Sequence, residues 1–200
     1  MTETLIGVGA LLAIDPDNPA GDLPAIAVRV GGADLWLASG DDYRVWGTLS
    51  RAPQTLEALA QSFFVTGEGG DRQPVTAAEV ADVVDGLLDQ GLVVGIQDGD
   101  PHFDLAMRLR LQPLWRAVTT ELADRDRFPI GTATGAQVLL NKAQHDVWAS
   151  LDGRNRVADI AVGIALRSGI EESQPDLADA WQRCAELVRM GAAYVDLALA

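Results

Sequence analysis

The apolar and polar positions of this 200-residue chain follow one pattern that occurs twice. Each copy begins with two short apolar runs separated by a glycine-containing pair, which is typical of a β-hairpin with a two-residue turn. The runs are Ala25 to Val30 and Asp34 to Ala38 around Gly31-Gly32, then Phe128 to Ala133 and Ala136 to Leu140 around Thr134-Gly135. We therefore predict a hairpin at the start of each copy.

A first helix is predicted directly after each hairpin. The segment Val45-Trp46-Gly47-Thr48-Leu49 matches Val147-Trp148-Ala149-Ser150-Leu151, and Ser39 and Asn141 precede the two segments at the same offset. Serine and asparagine side chains accept hydrogen bonds from the free N–H groups of a helix's first turn. We expect Ser39 and Asn141 to be the two N-caps.

Two more helices and a final strand complete each copy. The second helices are predicted at Thr55 to Ala60 and Arg156 to Ala161. The third follow at Glu79 to Gln90, after a capping box at Thr76-Ala77-Ala78-Glu79, and at Asp176 to Met190. Gly91 and Gly191 suit the left-handed residue that ends a helix. Extended runs follow them, Leu92 to Ile96 and Ala192 to Leu199.

These elements predict an α+β fold of two tandem winged-helix-type units, each a small β-sheet with three helices. The first unit is expected at residues 1–100, with an extra N-terminal strand at Leu5 to Ile14, and the second at residues 127–200. Residues 101–126 are expected to be a helical connector, because Leu105 to Ala123 has helical spacing that Pro113 would kink.

Composition excludes some classes of function. The formal net charge is −14 and the isoelectric point is near 4.3, whereas nucleic-acid binding relies on Lys and Arg that displace counterions from phosphates. The third helix of the first copy, Glu79 to Gln90, contains neither residue, which disfavours a winged-helix transcription regulator. Because Cys184 is the one cysteine, no intrachain disulfide can form, as is usual in the cytoplasm. No membrane segment or export signal is predicted.

The second copy resembles the PqqD-like winged-helix family, also called the RiPP recognition element. The resemblance covers about a third of the chain, from Val138-Leu139-Leu140-Asn141 through Val147-Trp148 and Asp152-Gly153-Arg154 to Val157-Ala158-Asp159-Ile160-Ala161. The first copy departs from it, since Ser50-Arg51-Ala52-Pro53-Gln54 replaces the Asp-Gly turn. The resemblance implies capture of the leader peptide of a ribosomally made precursor, which a separate modifying enzyme then processes.

A winged unit offers a physical basis for peptide capture. An extended peptide can add to an unpaired sheet edge through main-chain hydrogen bonds, while its side chains enter an apolar groove beside a helix. The favoured site lies in the second copy and comprises the edge Gln137, Val138, Leu139 and Leu140, the groove residues Trp181, Ala185 and Val188, and the cations Arg183 and Arg189. A second possible edge comprises Asp34, Leu35, Trp36 and Leu37. Helical spacing taken alone favours the alternative, a core Trp181 with two solvated arginines.

No catalytic, metal or cofactor site is predicted. His102 lies between Asp100 and Asp104, where loop polarity explains the cluster better than metal binding does. Cys184 lies on an apolar helical stripe, as a buried structural cysteine does. The leading hypothesis is therefore a non-enzymatic adaptor or partner subunit, with a homodimer as one option. The alternatives are a structural subunit that uses tandem winged helices for protein–protein assembly and, less favoured, the transcription regulator.

Overall fold

The computed structural model describes residues 2–20, 23–66, 72–100, 102–117, 127–132, 135–167 and 176–198. The chain divides into two compact units, Met1–Asp98 and Gly99–Ala200. The described residues form α-helices and small antiparallel sheets in both units, which confirms the predicted α+β class.

The first unit carries a three-stranded sheet, three helices and two strand pairs. Strands β2, β3 and β4 form the sheet in that order, β1 pairs with β7, and β5 pairs with β6, all antiparallel. The elements are β1 (Glu3–Gly7), β2 (Ala10–Ala20), β3 (Leu23–Val30), β4 (Ala33–Leu37), α1 (Gly40–Leu49), α2 (Leu56–Gln61), β5 (Phe64–Thr66), β6 (Arg72–Pro74), α3 (Ala77–Asp89) and β7 (Val93–Gln97).

After one additional helix, the second unit repeats this order except that its described residues contain no counterpart of β5 and β6. Strands β11, β10 and β9 form a sheet in that order, and β8 pairs with β12. The elements are α4 (Phe103–Arg108), β8 (Leu109–Pro113), β9 (Arg116–Ala117), β10 (Phe128–Thr132), β11 (Gly135–Leu140), α5 (Lys142–Trp148), α6 (Val157–Arg167), α7 (Leu177–Arg189) and β12 (Ala193–Leu197). The closing pairs are equivalent, since Gly7 lies opposite Val93 and Pro113 opposite Ala193.

The predicted caps and glycine helix ends are confirmed. The side chains of Ser39, Asn141 and Thr76 each accept a hydrogen bond from the backbone N–H three residues later, and all three belong to capping boxes. The glycines that end α3 and α7, Gly91 and Gly191, have φ of +72° and +66°, a conformation that glycine adopts without steric cost. Residues 133–134, in the predicted turn of the second hairpin, lie outside the described residues.

The single N-terminal strand predicted at Leu5 to Ile14 is wrong, because this run forms two strands. Strand β1 pairs with β7, whereas β2 pairs with β3. The chain turns between them at Gly9, which has φ +94° and where a Cβ atom would lie 2.6 Å from the Arg29 carbonyl oxygen. Glycine is required there because any side chain would meet backbone.

The helical connector predicted at residues 101–126 is also wrong in its central part. Helix α4 ends at Arg108, and Leu109–Pro113 form β8, which pairs with β12. Leu109 and Leu111 are 1% and 0% exposed and lie two positions apart, so they share one face of this strand. Pro113 ends the strand, where its missing N–H costs little, and residues 118–126 lie outside the described part of the chain.

The paired tryptophans anchor the cores of the two units. Trp46 and Trp148 are 4% and 8% exposed. The indole Nε1 of Trp46 donates to the Val8 carbonyl oxygen at 2.8 Å, whereas the buried Nε1 of Trp148 has no hydrogen-bond partner among the described residues. The same position in the two copies therefore differs by one buried hydrogen bond.

Candidate functional site

Each three-stranded sheet ends in a strand that carries an exposed apolar side chain. Among the described residues, β4 pairs with β3 alone and β11 with β10 alone. Trp36 on β4 and Leu139 on β11 are each 51% exposed, and each directly precedes a buried leucine, Leu37 or Leu140. Each unit thus presents a large apolar residue directly before the buried leucine of its outer strand, where water contact is unfavourable.

The hairpin register shows which backbone groups point outward along β4. Val30 and Ala33 close the two-residue turn, and antiparallel partners alternate between pairs that exchange hydrogen bonds and pairs that do not. Counting from this closing pair, Leu35 bonds to Val28, whereas Asp34 and Trp36 direct their N–H and C=O groups away from β3. In β11, Leu139 lies opposite Pro129. These two residues cannot exchange both backbone hydrogen bonds, because proline has no N–H.

The other residues of the two predicted edges differ in accessibility. Asp34 is exposed and its carboxylate accepts from Arg29 Nε at 2.8 Å, which holds the pKa of Asp34 below its usual value. Leu35 and Val138 are half-buried, and the backbone of Gln137 lies in β11 although its side chain is outside the described part. The apolar contact surface of each edge is therefore concentrated at Trp36 and Leu139.

The groove residues predicted on the third helix of the second unit are buried. Trp181, Ala185 and Val188 are 3%, 7% and 1% exposed, which agrees with the alternative of a core Trp181. Arg183 is half-buried and its Nε lies 2.8 Å from Asp179 Oδ2, while Arg189 is exposed. Helix α7 therefore presents its arginines, and not this apolar stripe, to solvent.

A concave pocket occurs in the first unit instead. It lies between α1 and α3 and encloses about 200 Å³. Its apolar lining comprises Val45, Phe63, Val75, Val80 and Val83, and its charged rim comprises Asp41, Arg44 and Glu79. The sequence pattern did not indicate this pocket, because Phe63 and Val75 come from the segments that flank β5 and β6.

The equivalent positions of the second unit hold an ion pair. Helices α3 and α7 align at an offset of 100, so that Arg183 takes the place of Val83 and Asp179 that of Glu79. The Arg183 guanidinium is bound to the Asp179 carboxylate there. The substitution of valine by arginine is the signal in the sequence that separates the two copies at this point.

The surface of the first unit is strongly acidic. Residues 1–98 contain 15 Asp and Glu against 4 Lys and Arg, whereas residues 99–200 contain 14 against 11. At the pocket rim, the backbone N–H of Thr76 and then its hydroxyl donate to Glu79 and hold the pKa of that carboxyl below its usual value. Glu79 is therefore ionised at neutral pH.

The Asp-Gly turn that carries the family resemblance has a structural role. Asp152 Oδ1 accepts from the backbone N–H groups of Arg154 and Asn155, both at 2.8 Å, and Gly153 has φ +74°. The Gly153 carbonyl oxygen accepts from Arg110, whose guanidinium also binds Asp196 at 2.9 Å in the buried interior. This network fixes the loop before α6 against the β8–β12 pair.

Cys184 and the two histidines lie in three different settings. Burial raises the pKa of the Cys184 thiol to about 12, so it is not a nucleophile at neutral pH. The backbone N–H of His102 donates to the Asp100 carboxylate within its loop. The His145 ring stacks on the Phe128 ring with their centroids 4.1 Å apart. Within the described ranges, no three His, Cys, Asp or Glu side chains are grouped so as to hold a metal ion.

The comparisons with known proteins add no relative: no protein-family model, no curated protein and no solved structure matches this chain. The part of the chain that the structure describes contains no helix long and apolar enough to cross a membrane.

Proposed function

We propose that this chain is a non-catalytic peptide-binding protein built from two tandem winged-helix-type units. The carrying observation is the pair of outer strands, β4 and β11, each with an exposed apolar residue directly before a buried leucine. A peptide that pairs with such a strand gains main-chain hydrogen bonds and covers the exposed side chain. The duplication of this feature in two units whose sequences have diverged supports a shared role.

The peptide proposed is the leader of a ribosomally made precursor, which the chain presents to a separate modifying enzyme. This assignment rests on the resemblance of residues 138–161 to the RiPP recognition element. The acidic surface supports a peptide partner over nucleic acid, because like charges repel phosphate backbones. The chain would act as an adaptor or as a partner subunit of the enzyme.

Peptide selection followed by edge-strand variants tests this function. Random linear peptides displayed on phage are panned on the full chain, and fluorescence polarisation measures the affinity of the selected sequences. Trp36→Ala removes the exposed side chain alone, whereas Trp36→Pro also removes the outward N–H. For a peptide on β4 we expect Trp36→Pro to bind about tenfold more weakly than Trp36→Ala, because a buried carbonyl loses its donor.

The same pair at Leu139 examines the second unit. Leu139→Ala and Leu139→Pro should differ in the same way for a peptide on β11. Failure to select any saturably binding peptide would contradict the proposed function. Equal affinities of the alanine and proline variants in both units, each folded by circular dichroism, would reject pairing at these edges.

A subunit for protein–protein assembly is the second candidate function, and one surface favours it. Helices α4 and α6 contact each other and carry two pairs of exposed apolar residues at i, i+4 spacing, Phe103 with Met107 and Val162 with Leu166. Phe103 is 61% exposed and Leu166 66%. If the chain self-assembles through this surface, the mass measured by sedimentation equilibrium should rise with protein concentration. In the Leu166→Arg variant it should equal the mass of one chain.

A further inference from the structure

We infer that the pocket between α1 and α3 is a specificity pocket for one aliphatic side chain of a basic peptide segment. The inference rests on the proposed function and names the class of peptide that the first unit selects. It separates the two units, because the first has Val83 in the pocket wall where the second has Arg183, bound to Asp179.

The size of the pocket limits its occupant. Pockets for drug-sized ligands enclose about 300–1,000 Å³, whereas a cavity of about 150 Å³ holds a molecule of the size of benzene. At about 200 Å³ the pocket between α1 and α3 therefore accommodates one leucine-sized side chain. Its apolar walls, which include Val45, Phe63 and Val83, favour a hydrocarbon occupant.

The charges around the pocket select the residues that flank this side chain. Helices α1 and α3 together contain six acidic residues and one basic residue, Arg44. Arg44 lies 3.6 Å from Asp41 and is partly neutralised by it, whereas Asp82, Asp85 and Asp89 are exposed along α3. Lysine or arginine beside the aliphatic residue would gain from this field, and acidic flanks would be repelled.

The pocket lies within reach of a peptide that pairs with β4. The rim residue Asp41 follows Leu37, the last residue of β4, by four positions, so their Cα atoms are at most about 14 Å apart. An extended segment covers this distance with about four or five residues. One short peptide can therefore occupy the β4 edge and the pocket together.

The second unit explains why the selection is asymmetric. Arg183 replaces Val83 and is bound to Asp179, so a guanidinium stands where the first unit offers a methyl-lined wall. Opening that position would expose the Asp179 carboxylate to an apolar side chain, which is unfavourable. The aliphatic anchor therefore belongs to the first unit.

The test uses three fluorescein-labelled peptides on the full chain. The first has one central leucine flanked by lysines and arginines, the second has alanine in place of leucine, and the third has glutamates in place of the cations. Each buried carbon group contributes about fourfold to affinity, so leucine should bind up to roughly 50-fold more tightly than alanine. The acidic peptide should not bind, and added salt should weaken the basic one.

Two variants locate the site. Val83→Arg introduces the residue of the second unit into the pocket and should weaken the leucine peptide by at least about tenfold. Leu114→Arg places the same residue on the surface of the second unit, where Leu114 is 48% exposed, and should leave the affinity unchanged. Methyl NMR of the unaltered chain avoids any folding defect, since Val45 and Val83 signals should shift on binding and Leu114 signals should not.

The outcomes separate this inference from the proposed function. Equal binding of the leucine and alanine peptides, no binding of either, or unshifted Val45 and Val83 signals would overturn the pocket's role. Peptides selected by panning that still depend on the Trp36 N–H would then leave the proposed function standing. Tight binding of the acidic peptide would overturn the charge selection.

Discussion

The two core tryptophans allow a matched experiment on the duplicated fold. Phenylalanine in place of Trp46 removes the indole that donates to the Val8 carbonyl oxygen at 2.8 Å. Val8 is 0% exposed, so water cannot replace the lost donor. A buried acceptor without a partner costs about 1–3 kcal/mol. The loss of ring atoms adds a packing cost that depends little on the hydrogen bond.

Phenylalanine in place of Trp148 is the internal control. This indole is nearly as buried, but its Nε1 has no partner among the described residues. Both substitutions carry a similar packing cost, but Trp148→Phe also removes a buried N–H that lacks an acceptor. The free energy of unfolding should therefore fall by about 1–3 kcal/mol more in Trp46→Phe than in Trp148→Phe.

Hydrogen exchange followed by mass spectrometry measures the two units separately within the full chain. Amides of α3 report the opening of the first unit and amides of α7 that of the second, provided exchange follows the population of open states. Equal losses of protection in the two variants, within about 0.5 kcal/mol, would refute the reasoning that the Val8 hydrogen bond distinguishes the units.

Individual residues of α3, α7 and the Asp-Gly turn give three further predictions. Gly86→Ala should stabilise the first unit by about 0.5–1 kcal/mol in urea unfolding, because Gly86 lies within α3 and an added Cβ meets no atom within 4 Å; a loss of stability would contradict this. The Cys184 thiol should resist a thiol reagent at pH 8 until denaturant is added, since burial raises its pKa to about 12; rapid labelling of the folded chain would show that the thiol is accessible. Asp152 accepts hydrogen bonds from two backbone N–H groups, which hold the pKa of its carboxyl below 3.8. Its contribution to stability should therefore be present above pH 3.8 and be lost as the pH falls through the lowered pKa. An NMR titration that gives a pKa of 3.8 or higher for this carboxyl would disprove the prediction.

Local signals in the sequence predicted much of this fold. The caps at Ser39, Thr76 and Asn141 and the helix ends at Gly91 and Gly191 depend on neighbouring residues, so a single chain reveals them. The repeat carried the order of elements from one copy to the other. Local hydrogen bonding and helical periodicity are properties of a short segment, and this is why they were accessible.

Contacts between distant residues were not accessible in the same way. The short apolar run Leu109 to Leu111 fits the helix period as well as the strand period, so the sequence alone predicts a helix there. The strand that forms instead depends on pairing with β12 and on the ion pair of Arg110 with Asp196, 86 positions away. The sequence of the apolar helical stripe through Trp181 similarly does not indicate whether the protein core or a bound ligand covers that stripe. The pocket in the first unit joins residues from α1, α3 and two loop segments, so no local pattern marks it.

The closing strand pairs have a consequence for how such a chain can change. Thr2 and Asp98 are joined by a hydrogen bond of 3.0 Å at one end of the β1–β7 pair, and Arg108 and Ala198 by one of 2.7 Å beside the β8–β12 pair. The segments from Thr2 to Asp98 and from Arg108 to Ala198 therefore each begin and end at neighbouring points. A segment with this property can be duplicated, inserted into another protein, or circularly permuted with new termini in the Gly31-Gly32 turn, while its path from first to last strand stays intact.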